Sequence, residues 1–376
     1  MKVLLVTTSY PDCPGSQRGI FIRKLCLELM KNGLEVLVLT PKILEQSRYY
    51  EDDSGIKVYR FWFPTSGRQL NQMDSVPVIP MAFYMMSGFF KALQLILKHR
   101  PQVIHGNWIV PTGLIAAVAG RVLGVPVLNT AHGMDLRISE RQPIRALFDM
   151  AVKLSGKTVI VSPSMKSRDI LMGCEVIPMG VDEEFFGIHP GRNSRTIVYT
   201  RSLEPVYDAE TLVRSVPLLA GSVPGARVIV AGTGSLEGQL KDLARQIGAE
   251  ANMEFLGHVP SDEIPSLLRQ AAVYVSTAVA DGTSPALLEA IAAGLTPVVT
   301  DIDANRPLVN HGKDGYLFSP RDHRDLAGKL ILALSGAIPP SELEKKSIEM
   351  KRTISWDAIA KGFIAGYNHL AMENNA

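Results

Sequence analysis

Two acidic residues, Asp281 and Glu289, stand eight positions apart in the segment Ser276–Asp301, and their surroundings suit an anionic ligand. Asp281 opens the loop DGTSP, which offers backbone N–H groups and hydroxyls just before a predicted helix. Ser284 suits the cap of that helix and Pro285 its first turn. A helix N-terminus after the carboxyl end of a strand favours an anion, and Glu289, one turn in, can accept hydrogen bonds from ribose hydroxyls. The alternative is a surface cap with a solvated glutamate.

A cation and a glycine-rich turn accompany this segment in the second half of the chain. Arg201 is predicted to end a strand in IVYTRSLEP, where a guanidinium can hold a diphosphate with two hydrogen bonds. Gly234, in VAGTGSLEGQL, follows the next predicted strand. It is predicted either to approach a nucleotide or to form an ordinary tight turn between a strand and a helix.

The first half contributes a histidine and an acidic residue directly after a predicted strand. His132 and Asp135 lie in TAHGMDLR, and a histidine at the carboxyl end of a strand is placed to bind substrate hydroxyls. A packed loop histidine is the alternative. His105, in HGNW, is interpreted first as a structural residue, and neither histidine has the partners or spacing of a zinc site.

The loop Pro14–Gly19 (PGSQRG) follows the first predicted strand. Gly15 and Gly19 allow a backbone to approach a ligand closely, and Arg18 adds a positive charge. The glycine spacing is not that of the dinucleotide fingerprint, so a nicotinamide cofactor is not expected. A plain loop is an equally good interpretation.

These residues need a scaffold in which strands and helices alternate, as in a doubly wound parallel sheet. In the first half the apolar pattern predicts strands at Lys2–Thr7, Leu34–Thr40, Ile56–Trp62, Val103–Asn107, Val125–Thr130, Thr158–Ser162 and Glu175–Pro178, with helices at Phe21–Leu29, Met81–Leu97, Pro111–Leu123 and Pro143–Leu154. In the second half it predicts strands at Thr196–Arg201, Arg227–Ala231, Met253–Leu256, Val273–Thr277, Pro297–Thr300 and Gly315–Phe318, and a last helix at Trp356–Met372.

The length of 376 residues favours two domains. The predicted domains are 1–184 and 196–352, joined by the linker Phe186–Arg195, with a C-terminal helix at about 355–376 that packs back onto the first domain. Because both halves alternate strands with helices, we predict two Rossmann-like domains facing across a cleft that holds the ligand.

Composition and charge exclude several functional classes. Residues 1–190 carry a net charge of +5 and the remainder −3, too weak an imbalance to indicate nucleic-acid binding. Cys13, Cys26 and Cys174 lack metal spacing and are interpreted as free thiols in a reducing cytoplasm. Met1–Thr8 is too short for a signal peptide, and the longest uncharged run, about Val76–Phe90, is shorter than the roughly 20 residues of a membrane span. A cytoplasmic location is therefore expected.

Taken in order, the motifs resemble the retaining nucleotide-sugar glycosyltransferases of glycosyltransferase family 4, which have the GT-B fold. The resemblance extends over nearly the whole chain. It rests on PGSQRG, HGMD, VIPMGVD, the arginine of YTRS, VIVAGTG, MEFLGHV, DGTSPALLEAIAAGLTPVVTD and DGYLF.

The resemblance implies a hexosyltransferase-type enzyme that moves a sugar from a nucleoside-diphosphate donor to a hydroxyl of a glycan, lipid-linked or small-molecule acceptor, without a metal or other cofactor. It also implies an oxocarbenium-like transition state, and deprotonation of the acceptor by a donor phosphate oxygen. The implied catalytic residues are His132, Arg201 and Asp281, the implied donor-binding residues Gly19, Gly234, Ser284, Pro285, Ala286, Leu288 and Glu289, and the implied acceptor-side residues Arg18 and Asp135.

Three positions depart from the family pattern. Asp281 stands where the first of two glutamates is usual, whereas Glu289 matches the second. Val206 stands where a lysine usually accompanies the arginine matched by Arg201, and Pro307 stands where an acidic or amide residue is common. A divergent subgroup is therefore expected, and a nucleotide-sugar 2-epimerase or a catalytically weak nucleotide-binding homologue are the alternatives.

The segment Met81–Leu97 is rich in Met and Phe and is followed by Lys98, His99 and Arg100. Because members of the family often act on envelope acceptors at the inner face of the membrane, one interpretation is a helix that lies on a bilayer. A core helix beside the parallel sheet is the other, and the sequence alone leaves both open.

Overall fold

The computed structural model describes residues 1–13, 16, 18–65, 78–140, 142–191 and 194–374, without the side chains of residues 134 and 137. Gly15 of the predicted glycine loop therefore lies outside the described residues. The chain divides into two compact units, residues 1–180 with 356–376, and residues 181–355. The segment predicted as a linker, Phe186–Arg195, begins within the second unit, and residues 192 and 193 are outside the described part.

Strands and helices alternate along most of the chain. The strands are β1 (Lys2–Thr7), β2 (Glu35–Pro41), β3 (Tyr50–Asp53), β4 (Ile56–Phe61), β5 (Val103–Asn107), β6 (Val127–Ala131), β7 (Lys157–Ile160), β8 (Glu175–Val176), β9 (Thr196–Tyr199), β10 (Arg227–Ala231), β11 (Met253–Gly257), β12 (Val273–Ser276), β13 (Thr296–Thr300) and β14 (Tyr316–Phe318). The helices are α1 (Ile20–Lys31), α2 (Val78–His99), α3 (Leu114–Leu123), α4 (Met134–Ile138), α5 (Ile144–Leu154), α6 (Ala209–Ser222), α7 (Glu237–Gln246), α8 (Ile264–Gln270), α9 (Pro285–Ala292), α10 (His323–Leu334), α11 (Pro340–Ile354) and α12 (Trp356–Glu373).

The sheet of the first unit has eight strands in the order β3-β4-β2-β1-β5-β6-β7-β8. Every described pairing is parallel except the hairpin between β3 and β4. The sequence pattern missed β3, because its residues YEDD are polar and short and sit at the edge of the sheet. The central strands are apolar instead. Val3–Val6 of β1 are fully buried, as expected for an apolar strand that is covered on both faces of the sheet.

Helices cover both faces of this sheet. On one face the last helix, α12, packs with α1, and its Phe363 and Tyr367 join a cluster that includes Leu25 and Leu29. The hydroxyl of Tyr367 lies 2.7 Å from Nδ1 of His105 in β5, which ties α12 to the sheet. The C-terminal segment is therefore an integral part of the first core.

On the other face, α2 packs against the sheet and α3 through Tyr84, Ala92, Leu95 and Ile96, which are at most 4% exposed. By length and composition alone, α2 is long and apolar enough to cross a membrane. Of its most apolar stretch, 28% is buried within the protein. The sequence argument from the uncharged run was thus too strict, because the helix continues past Lys91.

The second unit contains a six-stranded, fully parallel sheet in the order β11-β10-β9-β12-β13-β14. Helices α6 and α10 pack into its core through residues such as Leu212, Val216 and Leu330. The first strand, β9, ends at Tyr199, so the prediction that Arg201 ends this strand was wrong by two residues. Arg201 lies in the loop that follows, where its side chain can turn toward neighbouring loops.

Candidate functional site

Helix α9 begins directly after the loop DGTSP of the second unit. Its cap is Ser284, whose Oγ accepts a hydrogen bond from the backbone N–H of Leu287 over 3.3 Å. The N–H of Leu288 donates to the carbonyl of Ser284 over 3.1 Å, and Pro285 has no N–H. Neither of these bonds uses the backbone N–H of Ala286, which also lies in the first turn.

Arg201 and the loop before α9 form a compact cluster, called here the arginine cluster: Arg201, Tyr207, Asp281 and Ser284. The Arg201 side chain is only 8% exposed, and its Nη2 donates to Oδ2 of Asp281 over 2.6 Å. Its Nη1 donates to Oγ of Ser284. The guanidinium lies over the ring of Tyr207, 4.4 Å from the ring centroid, as in a cation–π contact. Three neighbouring side chains thus hold one cation in place.

The charge of Arg201 is secure in this setting. Burial disfavours the charged guanidinium, but Tyr274 and Asp281 oppose that effect, and together they raise the pKa of Arg201 above its ordinary value. Burial also raises the pKa of Tyr274 to about 12, so this neighbour is neutral at pH 7. The cluster therefore holds a permanently charged guanidinium, paired with the Asp281 carboxylate, at the start of α9, where the N-terminal helix dipole is also positive.

Gly234 packs so closely against the loop that carries Arg201 that a side chain would not fit there. A Cβ on Gly234 would lie 2.3 Å from the carbonyl oxygen of Leu203. The N–H of Leu203 donates to the carbonyl of Thr233 over 2.9 Å, so the loop after β9 and the turn after β10 are in direct backbone contact. This glycine allows the two loops to approach, and its predicted contact with the donor stays a prediction.

Glu289 lies half-buried in α9, one turn after the cap. Its position on the same helix as Ser284 and Ala286 is the one that the sequence predicts for a ribose-binding carboxylate. Val206 stands at the position where the family usually has lysine, and its backbone carbonyl accepts the N–H of Val279 over 3.0 Å. That bond ties the turn before Tyr207 to the segment after β12.

A different arrangement surrounds His132 at the end of β6 in the first unit. It is called here the histidine cluster: His132, Asn107, Asp135, Trp108 and Phe21. Nε2 of His132 lies 3.1 Å from Oδ1 of Asn107 at the end of β5. The imidazole lies 4.7 Å from the ring of Trp108 and 5.5 Å from that of Phe21, measured between centroids.

The imidazole of His132 in this cluster is uncharged. Burial lowers the pKa of His132 to about 3, so the imidazole is neutral at pH 7. The Asn107 carbonyl oxygen accepts, which places the imidazole proton on Nε2 and leaves Nδ1 as an acceptor. Nδ2 of Asn107 is buried and has no hydrogen-bond partner among the described residues. Such a group is costly to bury, so it marks a polar position worth explaining.

Asp135 is buried and binds the backbone of this cluster. It is 1% exposed, and its two carboxylate oxygens accept the backbone N–H groups of Ile109 over 2.8 Å and His132 over 3.2 Å. Burial raises the pKa of Asp135 to about 6, and these backbone hydrogen bonds oppose the rise. The carboxylate fixes two loops, and its predicted contact with an acceptor stays a prediction.

Arg18 and Gly19 lie in the loop before α1. Arg18 is 6% exposed in its side chain; Nη1 donates to Asp12 over 2.9 Å and to the carbonyl of Tyr10 over 3.0 Å, and Nη2 donates to the carbonyl of Thr8. Gly19 has a φ of +64°, and a Cβ there would lie 2.4 Å from the carbonyl of Ser9. Both residues fold this loop onto the end of β1, and the proposed contacts with acceptor and donor remain predictions.

His105 is a structural residue of the sheet, in agreement with its first interpretation. Nε2 lies 2.8 Å from Oγ1 of Thr130 and Nδ1 lies 2.7 Å from the Tyr367 hydroxyl, both inside the core. Burial lowers its pKa to about 3. Within the described part of the chain, no group of three or more His, Cys, Asp or Glu side chains is placed to hold a metal ion.

Sequence reasoning assigned Arg201, Asp281 and Ser284 to the donor side of the site, and the structure brings these three together. The structure also brings His132 and Asp135 together. Tyr207 and Asn107 were not predicted as site residues, although Tyr207 lies only six residues after Arg201 and Asn107 stands in the segment HGNW. The one available signal for Asn107 was its place at the end of a predicted strand, beside the one that precedes His132.

Comparisons with known proteins identify the family of the chain. Residues 181–352 match the family described as glycosyl transferases group 1, and residues 19–169 match the glycosyl transferase 4-like domain. The chain is a glycosyltransferase of the family 4 type. Both units support this assignment, because each is matched by its own glycosyltransferase domain family.

Relatives of this glycosyltransferase include full-length matches. It is 24% identical to an uncharacterized glycosyltransferase of Methanocaldococcus jannaschii, with 99% of each chain covered. It is 25% identical to a UDP-Gal:alpha-D-GlcNAc-diphosphoundecaprenol alpha-1,3-galactosyltransferase of Escherichia coli, covering 75% of this chain and 76% of that one.

Solved structures establish the GT-B fold of this glycosyltransferase. Sucrose-phosphate synthase from Thermosynechococcus elongatus superposes with a TM-score of 0.74 at 17% identity, covering 99% of this chain and 100% of that one. Anabaena HepE in complex with UDP also gives 0.74, at 18% identity, with 98% and 100% covered. The predicted fold class of two Rossmann-like parallel-sheet domains is confirmed.

Proposed function

We propose that this glycosyltransferase holds the diphosphate of its nucleotide-sugar donor with the arginine cluster and transfers the sugar with retention of anomeric configuration. The single observation that carries the proposal is the buried, permanently charged guanidinium of Arg201 beside the first turn of α9. Two of its five N–H donors are used by Asp281 and Ser284, and the rest suit phosphate oxygens.

The first turn of α9 would add a neutral donor to that cation. Because the bonds around Ser284 leave the Ala286 amide unused, this N–H and the helix dipole favour a phosphate oxygen in front of the turn. Glu289, one turn farther along, would accept hydrogen bonds from the ribose hydroxyls. Among the predicted donor-binding residues of this helix, Ala286 thus supplies an amide, whereas the Leu288 amide is already bonded within the helix.

Asp281 holds Arg201 in these contacts. Its Oδ2 binds the guanidinium and its Oδ1 accepts the N–H of Gly282 over 2.9 Å, so both oxygens have partners. We infer that Asp281 positions the cation and contacts the donor sugar only by exchanging one of these partners. The shorter aspartate, in place of the usual glutamate, is then explained by its short bond to Arg201.

The reaction needs charge neutralisation more than proton transfer by the protein. As the bond between the anomeric carbon and the diphosphate breaks, negative charge grows on the leaving oxygen, and Arg201 with the Ala286 amide would stabilise it. A donor phosphate oxygen would take the proton of the acceptor hydroxyl, which enters from the face that the diphosphate leaves. His132, neutral and beside the ring of Trp108, would bind sugar hydroxyls through Nδ1, the ring nitrogen that its bond to Asn107 does not use.

The relatives suggest where to look for substrates. The Escherichia coli relative is named for UDP-galactose and a diphosphoundecaprenol acceptor, and Anabaena HepE binds UDP and glucose. A Streptococcus pneumoniae relative is named alpha-monoglucosyldiacylglycerol synthase. We therefore propose a UDP-sugar as the first donor to test and a lipid-linked or envelope acceptor, with the protein at the inner face of the membrane. No metal is proposed for the reaction.

The test is a donor screen followed by product stereochemistry. Thermal-shift measurements with nucleoside diphosphates and their sugars select the donor, and proton NMR then reports the anomer of the sugar first released or transferred. The proposal expects the anomer of the donor. An inverted anomer contradicts retention, and an epimerised donor with no nucleotide released would identify the epimerase instead.

A further inference from the structure

We propose that the outer side of α2 is a docking surface for a bilayer containing anionic lipids. The surface consists of Phe83, Met86, Phe90 and Leu97 on α2 together with Trp62, and is called here the α2 face. It lies wholly in the first unit, and none of its residues belongs to the histidine cluster. The inference rests on the proposed location at the inner face of the membrane, but not on the proposed donor chemistry.

The α2 face is apolar and open. The four helix residues are 39%, 50%, 61% and 65% exposed, in chain order. Their spacings of three, four and seven place them on one side of the helix. Trp62 is 51% exposed and meets Phe83 edge to face, with 6.0 Å between ring centroids. Single exposed apolar residues need no explanation, but several on one side of a helix indicate an interaction surface.

The apolar surface continues into a neighbouring groove of about 350 Å³. Met86 belongs both to the α2 face and to the wall of the groove, which also takes Met150 of α5, itself 41% exposed. The groove lies between α2, α3 and α5, and its lining consists of Ala82, Met85, Met86, Phe89, Leu114, Ile115, Val118 and Met150. A surface of this kind suits flexible hydrocarbon, and methionine adapts easily to it.

Charge decides between a lipid surface and a second copy of the chain. Residues 78–100 contain Lys91, Lys98 and Arg100 but no Asp or Glu. A two-fold dimer through the α2 face would bring the same cations of both copies together. An anionic lipid surface would instead attract each of them. The charge pattern therefore favours phospholipid headgroups with negative charge.

The helix is expected to lie on the membrane and not to cross it. Its inner side, including Tyr84, Ala92 and Leu95, is at most 1% exposed and packs in the core of the first unit. Insertion of the whole helix would remove that side from its core, whereas shallow contact through Phe83 and Phe90 leaves the fold unchanged. Trp62 would sit at the headgroup level, where tryptophan is favoured.

The experiment is vesicle flotation of the full chain, with phosphatidylglycerol–phosphatidylcholine vesicles compared with pure phosphatidylcholine, at low and at high salt. We expect binding to the anionic vesicles that weakens with salt. The double variant Met86→Glu with Phe90→Glu should bind at least about tenfold more weakly. Lys91→Gln with Lys98→Gln should weaken binding about fivefold per cation, and only with anionic vesicles.

The matched control is Leu332→Glu, at a 45% exposed apolar position on α10 of the second unit, which should bind as the unaltered chain does. Thermal unfolding of each variant confirms that the fold is kept. The proposal is overturned if the chain does not bind anionic vesicles at low salt, or if the Met86 and Phe90 changes leave binding intact. It is equally overturned if light scattering finds a dimer that these changes dissociate, because the surface is then a contact between copies.

Discussion

The arginine cluster and the histidine cluster both lie after the carboxyl ends of parallel strands, yet they are built in opposite ways. The first fixes a cation with an aspartate and an aromatic face, and the charge of Arg201 is reinforced by its neighbours. The second is buried among aromatic rings, and burial keeps His132 neutral.

Under the proposed function, this difference matches the ligand of each cluster. A departing diphosphate carries charge, so it is stabilised by a permanent cation that does not lose its proton. A sugar is neutral, so it is bound by hydrogen-bonding groups and an apolar wall, and a charged imidazole would add only desolvation cost. The two sheets thus carry side chains of different polarity after the carboxyl ends of their strands.

The largest effect should come from removing the cation. Arg201→Lys keeps one charge but loses the planar fork, and we expect donor turnover to fall about 10²- to 10³-fold. Arg201→Ala should in addition destabilise the second unit by about 3–5 kcal/mol, since it leaves the carboxylate of Asp281 without its partner. Steady-state turnover and thermal unfolding measure the two effects.

The double variant Arg201→Ala with Asp281→Ala separates them. It should regain much of the lost stability while transfer stays as low as in Arg201→Ala alone. Near-normal turnover in the double variant would mean that the cation serves only to satisfy Asp281.

The next effect is the response of the first unit to acid. His105 and His132 have pKa values lowered to about 3, so their stabilisation is complete above pH 6.5 and is lost as the pH falls toward 3. Asp135, with its pKa raised to about 6, acts in the opposite direction: it stabilises below about pH 4, and this is lost as the pH rises through 6. Between pH 6 and 4 these three groups alone contribute a net slope of about 1.4 kcal/mol per pH unit, because the two histidines outweigh the one carboxyl.

Two variants test that balance through denaturant unfolding at several pH values. His105→Gln should lower the measured slope by about 1.4 kcal/mol per pH unit, because His132 and Asp135 then cancel. Asp135→Asn should raise the slope by about the same amount. Equal slopes in all three proteins would show that the histidines are not held neutral by the fold.

A smaller effect is expected at Glu289. Glu289→Gln should weaken binding of the nucleoside part about tenfold, by the same factor for a nucleoside, its monophosphate and its diphosphate. Arg201→Lys should by contrast weaken only ligands that carry the diphosphate. Titration calorimetry with the three ligands gives both ratios, and a Glu289 effect that grows with each phosphate would reassign that residue to the phosphates.

The smallest effect is expected at the aromatic face of the cation. Tyr207→Leu should weaken diphosphate binding about three- to fivefold, the value of one cation–π contact, whereas Tyr207→Phe keeps the ring and should bind normally. If Phe and Leu weaken binding equally, the Tyr207 hydroxyl matters and not the ring.

The sequence predicts local structure well, because local structure depends on residues that are close together in the chain. Ser284, Pro285 and the helix after them were accessible because capping and turn chemistry depend on residues a few positions apart. The strong apolar run of β1 was likewise accessible, whereas the polar edge strand β3 was not. Local rules suffice for local structure.

Side-chain contacts that no local pattern predicts account for the rest. Arg18 is predicted to contribute a positive charge on the acceptor side; its guanidinium is bonded to Asp12 and to two backbone carbonyls, and the acceptor role stays a prediction. Nothing in the sequence pairs Asn107 with His132, because they meet only once β5 and β6 lie side by side in the sheet. No local pattern predicts that the loop after β9 folds Tyr207 over Arg201. Such pairs decide whether a charged residue is a ligand-binding group or an internal clamp.

The most direct test of this account is a crystal structure of the chain with a bound nucleoside diphosphate. We predict phosphate oxygens within hydrogen-bond distance of the Arg201 guanidinium and the Ala286 amide, with the ribose hydroxyls at Glu289. A diphosphate bound away from Arg201 and from the first turn of α9 would contradict the account.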